Sequence, residues 1–266
     1  MDVPGAVVVV TGASSGIGRS TALTFAAAGA DVVVTARRKD KLDELAKLIG
    51  QRGRRALPVE CDVSDLAQVE RLQERTQETF GRCDVLVNNA GVPGGGPFAE
   101  LTMDQVQRIT KVNYLGVLYC TKVFLPMMLA ARRGHVVNVA SLAGKFAVPG
   151  SAVYSSTKHA VVAFSEALYY ELAPHGITVT VVNPGLVATE GFPHRDAIRA
   201  GRKVMSPDDV ARLIVQVVRE DTGPERSIPR WMAALQAFRV LTPPLYRFGL
   251  KQVTKRTIRP TRAGER

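Results

Sequence analysis

The chain has 266 residues, and its content of 46% hydrophobic and 22% charged residues is that of an ordinary globular protein. This composition excludes a fibrous or an intrinsically disordered chain. The formal net charge is +11. Ten basic and two acidic residues lie in the segment 225–266, which therefore carries +8 and leaves a nearly balanced body before it.

Cysteine and histidine usage gives no sign of a disulfide framework or a metal site. The three cysteines, Cys61, Cys83 and Cys120, are odd in number and form no C-x-x-C pair, which indicates reduced, buried thiols. None of the histidines has metal-ligand spacing: His135, His159, His175 and His194. No apolar run reaches the length of a membrane span, and the predicted location of the body is cytoplasmic.

Short Val-rich runs alternate with longer helical patterns through the first 220 residues. The predicted strands are Ala6–Val10, Asp31–Ala36, Ala56–Glu60, Val85–Asn88, His135–Ala140 and Thr178–Val182. The predicted helices are Ile17–Ala28, Lys41–Arg52, Leu66–Phe80, Met103–Arg132 and Val153–Pro174. Glycines stand where these helices should stop, as left-handed caps: Gly29, Gly53, Gly81, Gly134 and Gly176.

This order of elements predicts an α/β fold. Repeated βα units form a doubly wound, mostly parallel sheet with helices on both faces. No repeat or linker divides the body, so residues 1–225 are predicted to form one domain, and residues 226–266 a helical C-terminal extension.

A glycine-rich turn follows the first predicted strand and opens the first helix. It runs Thr11-Gly12-Ala13-Ser14-Ser15-Gly16-Ile17-Gly18. Glycines at these places allow a tight turn, close approach of backbone N–H groups to a pyrophosphate, and close packing of helix on strand. The alternative is a plain turn in which a serine caps the helix. The strand–turn–helix context favours dinucleotide binding.

The end of the second strand distinguishes between the two nicotinamide coenzymes. An NAD site places a carboxylate there to bind the adenosine ribose, whereas this chain has Ala36 followed by Arg37 and Arg38. A guanidinium pairs well with a 2′-phosphate, so NADP(H) is predicted over NAD(H). The alternative is that both arginines are solvated residues at a helix start.

Three further signals lie where strands end or helices begin. Asn88-Asn89-Ala90-Gly91 closes the fourth strand, and Ser141 follows the fifth. Tyr154 and Lys158 open the next long helix, one turn apart on one face. A phenol needs a neighbouring cation to lower its pKa if it is to exchange a proton at neutral pH.

With these motifs the chain resembles the short-chain dehydrogenase/reductase superfamily, in its Tyr-x-x-x-Lys branch with a single Rossmann domain, from about Val7 to Val218. The resemblance implies that Tyr154 is the general acid/base and that Lys158 lowers its pKa and holds the nicotinamide ribose. It also implies that Ser141 binds the substrate oxygen and that Asn113 supports a water relay.

The resemblance completes the predicted dinucleotide site. Asp62 and Val63 match the family's adenine contact. The coenzyme floor is Asn89, Ala90 and Gly91, and the loop over the nicotinamide amide and pyrophosphate is Pro184, Gly185, Val187 and Thr189. The other predicted members are Gly12, Ser14, Ser15, Gly16, Ile17, Gly18, Arg37, Arg38, Tyr154 and Lys158. A homodimer or homotetramer through the two long helices is typical of the family.

The resemblance implies that two segments line the substrate pocket, 142–153 and 186–203. Their apolar residues indicate a largely apolar ketone or secondary alcohol, similar to a steroid, a retinoid or a fatty-acyl compound. The predicted substrate residues are Ser141, Leu142, Val148, Tyr154 and Phe192. A 3-oxoacyl carrier-protein reductase and a non-catalytic dinucleotide-binding scaffold remain alternatives. Nucleic-acid binding is not predicted, because charge alone suggests it.

The tail departs from the family pattern. Between residues 231 and 256, large apolar residues alternate with arginines and lysines, which is a basic amphipathic pattern. Three interpretations remain open: peripheral contact with a membrane, contact with a partner subunit, and packing on the protein's own domain beside the substrate entrance.

Overall fold

The structure is a computed structural model that describes residues 1–190, 204–229 and 231–249. Its centre is a seven-stranded sheet in which every neighbouring pair is parallel, in the order β3-β2-β1-β4-β5-β6-β7. The strands are β1 Val7–Thr11, β2 Asp31–Ala36, β3 Ala56–Glu60, β4 Val85–Asn88, β5 Gly134–Val139, β6 Ile177–Pro184 and β7 Glu225–Ile228. The predicted doubly wound Rossmann fold is confirmed.

Helices cover both faces of this sheet. They are α1 Gly16–Ala27, α2 Lys39–Gly50, α3 Leu66–Phe80, α4 Met103–Thr110, α5 Gly116–Ala131, α6 Ala152–Leu172, α7 Pro207–Glu220 and α8 Met232–Leu241. A π-helical turn, Lys111–Leu115, joins α4 to α5, and a short 3-10 turn, Leu142–Gly144, follows β5. Residues 243–249 are also helical.

Two apolar cores lie on the two faces of the sheet, because the side chains of a strand alternate between its faces. In β1, Val8 and Val10 belong to one core, and Val7 and Val9 belong to the other. The strands are therefore continuous apolar runs, as expected for a parallel sheet covered on both sides. The three cysteines are free and buried in this body.

Two details differ from the sequence prediction. The long helix predicted from Met103 is interrupted by the π-helical turn. Gly134 is the first residue of β5 and not a helix cap; Arg132 instead adopts the left-handed conformation, with φ of 48°. A Cβ atom at position 134 would lie 2.7 Å from the Met128 sulfur, so close approach of strand and helix explains this glycine.

In the described part of the chain, one continuous helical segment, Met103–Ala131, is long and apolar enough to cross a membrane, with a mean hydropathy of 1.5. Its residues Cys120, Phe124 and Met128 are buried in the core that also contains Val7 and Val9 of β1. The segment is therefore explained as a core helix of the domain.

Strand β7 crosses the predicted boundary between domain and extension. It pairs with β6 from Val181↔Glu225 to Pro184↔Ile228. Residues 226–228 thus form the edge of the main sheet, and the helical part of the extension begins after them.

Candidate active site

The predicted site residues gather at the carboxyl edge of the sheet, where β1 and β4 lie side by side. The order in which strands are added reverses at this place, since β2 and β3 lie on one side of β1, and β4 and β5 on the other. Open α/β sheets bind their ligands at such a switch point. The glycine-rich turn, residues 89–91 and Ser141 all follow these central strands.

The glycine-rich turn is packed so closely that side chains are excluded. A Cβ atom on Gly18 would lie 2.3 Å from the Gly12 carbonyl oxygen, and one on Gly12 would lie 2.8 Å from the Ala90 Cα. The Asn89 side chain donates hydrogen bonds to the carbonyls of Thr11 and Gly12, at 2.9 and 3.3 Å. These contacts fix the turn against the end of β4.

The start of α1 remains available to an anion. Ser15 is the N-terminal capping residue, but its side chain makes no capping hydrogen bond, and the first turn of α1 contains no acidic residue. The alternative interpretation, a plain turn in which a serine side chain caps the helix, therefore does not describe this turn. Unsatisfied N–H groups at a helix N-terminus fit the pyrophosphate of a dinucleotide.

Both arginines after β2 lie beside this turn. The Arg38 guanidinium donates to the Ser14 hydroxyl at 3.0 and 3.2 Å and forms an ion pair with Glu190 at 3.0 Å. Arg37 lies 3.9 Å from the Asp62 carboxylate. Both arginines are exposed, so their guanidinium groups can exchange these partners for a ligand phosphate.

The predicted adenine contact begins the loop after β3. The Asp62 carboxylate accepts hydrogen bonds from the backbone N–H and the hydroxyl of Ser64, at 2.9 and 2.7 Å. Val63 is buried, and a Cβ atom on Gly116 would lie 2.8 Å from its side chain. The structure thus holds this loop in place from both sides.

The loop after β6 lies across the glycine-rich turn. Gly185 donates its N–H to the Ile228 carbonyl at 2.9 Å, and Val187 pairs with Met205. A Cβ atom at Gly16 would lie 3.0 Å from the Thr189 methyl group. Residues 184–189 therefore sit where the family resemblance predicts a cover over the coenzyme.

Tyr154 and Lys158 occupy adjacent turns of α6, as predicted. The Lys158 Nζ lies 5.8 Å from the centre of the Tyr154 ring and donates a hydrogen bond to the Val139 carbonyl at 2.9 Å. Lys158 is only 5% exposed, whereas Tyr154 is half-buried. The Val139 carbonyl, at the end of β5, therefore holds the Lys158 ammonium group near the Tyr154 ring.

Ser141 lies beside the tyrosine. It caps the 3-10 turn after β5, where its hydroxyl accepts the Ala143 N–H at 3.1 Å. A Cβ atom on Gly144 would lie 2.6 Å from the Lys158 carbonyl oxygen, so only glycine lets this turn pack against α6. The pairing of Ser141 with Tyr154 depends on that close approach.

Burial shifts the pKa values of both members of the pair. It raises the pKa of Tyr154, and the hydrogen bond with Ser141 opposes this. It lowers the pKa of Lys158 to about 8, so the ammonium still carries its proton at neutral pH. That the lysine lowers the pKa of the tyrosine stays a prediction.

Asn113 is the fourth predicted catalytic residue and lies in the π-helical turn. Its side chain accepts the Val92 N–H at 2.7 Å and donates to the Val92 carbonyl at 2.9 Å. A Cβ atom on Gly91 would lie 3.4 Å from the Asn113 oxygen and 3.9 Å from the Lys158 Nζ. The asparagine thus anchors the loop after β4 beside the lysine; its role in a water relay stays a prediction. Single π-helical turns are frequent at functional sites.

A buried polar network that the sequence analysis did not predict connects these elements inside the domain. The Asn88 amide donates to Thr121 and Asn138 at 3.0 and 2.8 Å, and the Asn138 amide donates to Ser165 of α6 at 2.9 Å. The network links β4, β5, α5 and α6. Its members lie far apart in the sequence, so only the strand order could have revealed it.

The structure shows a cavity beside Tyr154 whose lining residues were not among the predicted substrate residues. Leu142 is half-buried and Val148 is exposed in the segment after Ser141. Phe192 lies outside the described residues. A cavity of about 200 Å³ is lined by Val92, Pro93, Gly94, Gly95, Leu101, Gln105, Arg108 and Ile109. A Cβ atom at Gly94 would lie 3.2 Å from the Tyr154 Cβ, which places the cavity next to the tyrosine. The glycine run 94–96 was the sequence signal for this loop.

The described part of the tail contacts its own domain beside Ser141. The Arg239 guanidinium donates to the Lys145 carbonyl, and the rings of Phe146 and Tyr246 lie 6.5 Å apart. Lys145 is buried and forms an ion pair with Glu225 of β7 at 2.5 Å. Of the three interpretations of the tail, packing at the substrate side of the domain is observed.

This chain is similar in sequence and fold to several proteins described as dehydrogenases or reductases. The family model described as short chain dehydrogenase matches residues 6–198. A dehydrogenase/reductase SDR family protein 7-like of Anopheles gambiae is 35% identical, over 93% of this chain and 83% of that protein. A 3-oxoacyl-[acyl-carrier-protein] reductase of Synechocystis is 38% identical, over 69% and 75%. The crystal structure of a short chain dehydrogenase/reductase from Burkholderia phymatum in complex with NAD has a TM-score of 0.84 at 29% identity, covering 92% of this chain and 96% of that one.

Proposed function

The chain belongs to the short-chain dehydrogenase/reductase family of oxidoreductases, and from this premise we propose that it uses NADP(H) to interconvert a largely apolar ketone and a secondary alcohol. The observation that carries the proposal is the convergence of Asn113, Ser141, Tyr154 and Lys158 beside a phosphate-binding turn and an apolar cavity.

The side chains of this site can manage the proton and the charge of a carbonyl reduction. When bound, a nicotinamide dinucleotide supplies or accepts the hydride. Ser141 donates a hydrogen bond to the substrate oxygen, and Tyr154 gives that oxygen its proton in reduction or removes it in oxidation. Burial raises the pKa of Tyr154, and the hydrogen bond with Ser141 opposes this shift.

The coenzyme preference follows from charge. The buried side chain of Ala36 offers no carboxylate to ribose hydroxyls, while Arg37, Arg38 and Ser14 surround the place next to it. A 2′-phosphate carries extra negative charge and three acceptor oxygens, which these groups match. NAD lacks that phosphate and gains little from the arginines.

Replacing Arg37 and Arg38 together by Ala should weaken NADPH binding by about 10- to 100-fold, because charge-assisted hydrogen bonds to the phosphate are lost. NADH binding should change by less than about threefold. Titration of both coenzymes by fluorescence measures this. Arg52→Ala, which removes an exposed arginine at the end of α2, is the matched control. Equal losses for NADPH and NADH would contradict the NADP assignment.

The substrate class follows from the cavity beside Tyr154. Val92, Pro93, Leu101 and Ile109 make its lining mainly apolar, and Leu142 and Val148 continue this character on the other side. Such surroundings favour a bulky apolar substrate over a small, highly charged one. The similarity to a 3-oxoacyl reductase keeps a fatty-acyl thioester as the second candidate.

A panel of ketones graded in size and polarity, together with a 3-oxoacyl thioester, tests this proposal through the loss of NADPH absorbance. We expect kcat/KM to rise with the apolar area of the ketone. A preference for the thioester would select the second candidate. Tight coenzyme binding without turnover on any carbonyl compound would favour a non-catalytic scaffold.

The setting of the enzyme is part of the same proposal. Buried free thiols suit a reducing cytoplasm. A homodimer or homotetramer through the long helices, which is typical of the family, belongs to the same proposal.

A further inference from the structure

Large apolar side chains cover the outer side of the tail. Trp231, Phe238, Val240, Leu241, Leu245 and Phe248, here called the outer tail face, are between 42% and 77% exposed. Soluble proteins expose such residues singly. Six of them within residues 231–248 form a patch of the kind that marks an interaction surface.

Among the tail residues whose side chains the structure describes, 231 and 236–249, the side towards the domain is more polar than the outer side. Arg239 is half-buried, donates to the Lys145 carbonyl and lies 5.9 Å from the centre of the Tyr246 ring. Tyr246 in turn faces Phe146. A helix that only covers its own domain turns its apolar stripe inward. The described side chains show the reverse, so the outer tail face is apolar surface available to a partner outside the domain.

The positive charge of the tail indicates which kind of partner contacts the outer tail face. Arg247 is exposed between Leu245 and Phe248, and the segment 225–266 carries +8. A symmetric contact with a second copy would bring two such segments together and repel them. An anionic bilayer attracts them, and it accepts Trp, Phe and Leu side chains at its interface.

We propose that the outer tail face docks this protein on the surface of a bilayer containing anionic phospholipids. Because the tail is held at Lys145 and Phe146, which follow the Ser141 turn closely, docking brings the substrate side of the domain next to the lipid. The docking itself does not depend on the coenzyme or the substrate class.

The chain contains its own reporter, since Trp231 is its single tryptophan and lies on the outer tail face. The full-length protein is mixed with vesicles of phosphatidylcholine alone or with phosphatidylglycerol added. We expect a blue shift of Trp231 emission and cosedimentation with the anionic vesicles only. Raising the salt concentration should weaken binding, because exposed charges are screened.

Matched variants separate the patch from a general effect on folding. Leu241→Gln with Phe248→Gln should weaken vesicle binding by about tenfold or more. Met103→Gln, which changes an equally exposed apolar residue on α4, should leave it unchanged. All variants should keep the wild-type thermal unfolding midpoint and NADPH affinity, which shows that they are folded.

Three outcomes would overturn the proposal. Trp231 emission could stay the same with anionic vesicles, or both variants could lose vesicle binding equally. The emission could also shift with protein concentration in the absence of lipid, which would assign the face to contact between copies. Each outcome is read without a turnover assay, so it is independent of the proposed reaction.

Discussion

Tyr154→Phe is expected to lower kcat by roughly 10³-fold while NADPH still binds with an affinity close to that of the wild type. The change removes only the hydroxyl, which lies beside Ser141 at the cavity and in the proposed reaction gives the substrate oxygen its proton. The ring stays next to the Lys158 ammonium, 5.8 Å from its centre, so packing in α6 is preserved. Stopped-flow measurement of a single turnover, together with coenzyme titration, checks both parts.

The control for this experiment lies about four turns further along the same helix. Tyr170→Phe removes the hydroxyl of an exposed tyrosine of α6 and should leave kcat unchanged. The kcat of Ser141→Ala should lie between those of the two tyrosine variants. We expect a loss of about 10- to 100-fold, because one of two hydrogen bonds to the developing oxyanion is removed. Wild-type turnover by Tyr154→Phe would remove the tyrosine from the mechanism.

The sequence predicted those parts of the site that depend on neighbours along the chain. The Gly12–Gly18 turn, the strand before it and the one-turn spacing of Tyr154 and Lys158 are local patterns, and the structure contains them as predicted. Six of the seven strands followed from the same alternation of elements, because each βα unit carries its own apolar signal.

Properties set by contacts between distant segments were not predictable in this way. The raised pKa of Tyr154 results from burial, and the bond of Lys158 to the Val139 carbonyl joins α6 to β5. The spacing of the two residues reveals neither. The outer tail face is a similar case. Its amphipathic pattern was visible, but Arg239 and Tyr246 decide which side faces the domain, and their partners lie near residue 145.

Lys158→Met should lower kcat by about 10²- to 10³-fold, since a positive charge that stabilises the developing phenolate is lost. In the wild type, kcat/KM for NADPH should fall as pH rises through about 8, where the lysine loses its proton in the free enzyme. This inflection should be absent from Lys158→Met. Lys158→Arg, which stays charged, should shift it beyond the measured pH range. An unchanged inflection in Lys158→Met would assign it to another group.

The same substitution should change how stability depends on pH. The pKa of Lys158 is about 8 in the folded protein against an ordinary value of 10.5. Between these values the unfolded chain binds more protons, so this group makes the free energy of unfolding rise with pH. From pH 7 to pH 10 the wild type should therefore gain about 2 kcal/mol relative to Lys158→Met. Urea unfolding at a series of pH values measures this difference, with Lys122→Met, at an exposed lysine of α5, as the control. A difference that is flat with pH would mean that Lys158 keeps its ordinary pKa, and that the ammonium is not desolvated where the structure places it.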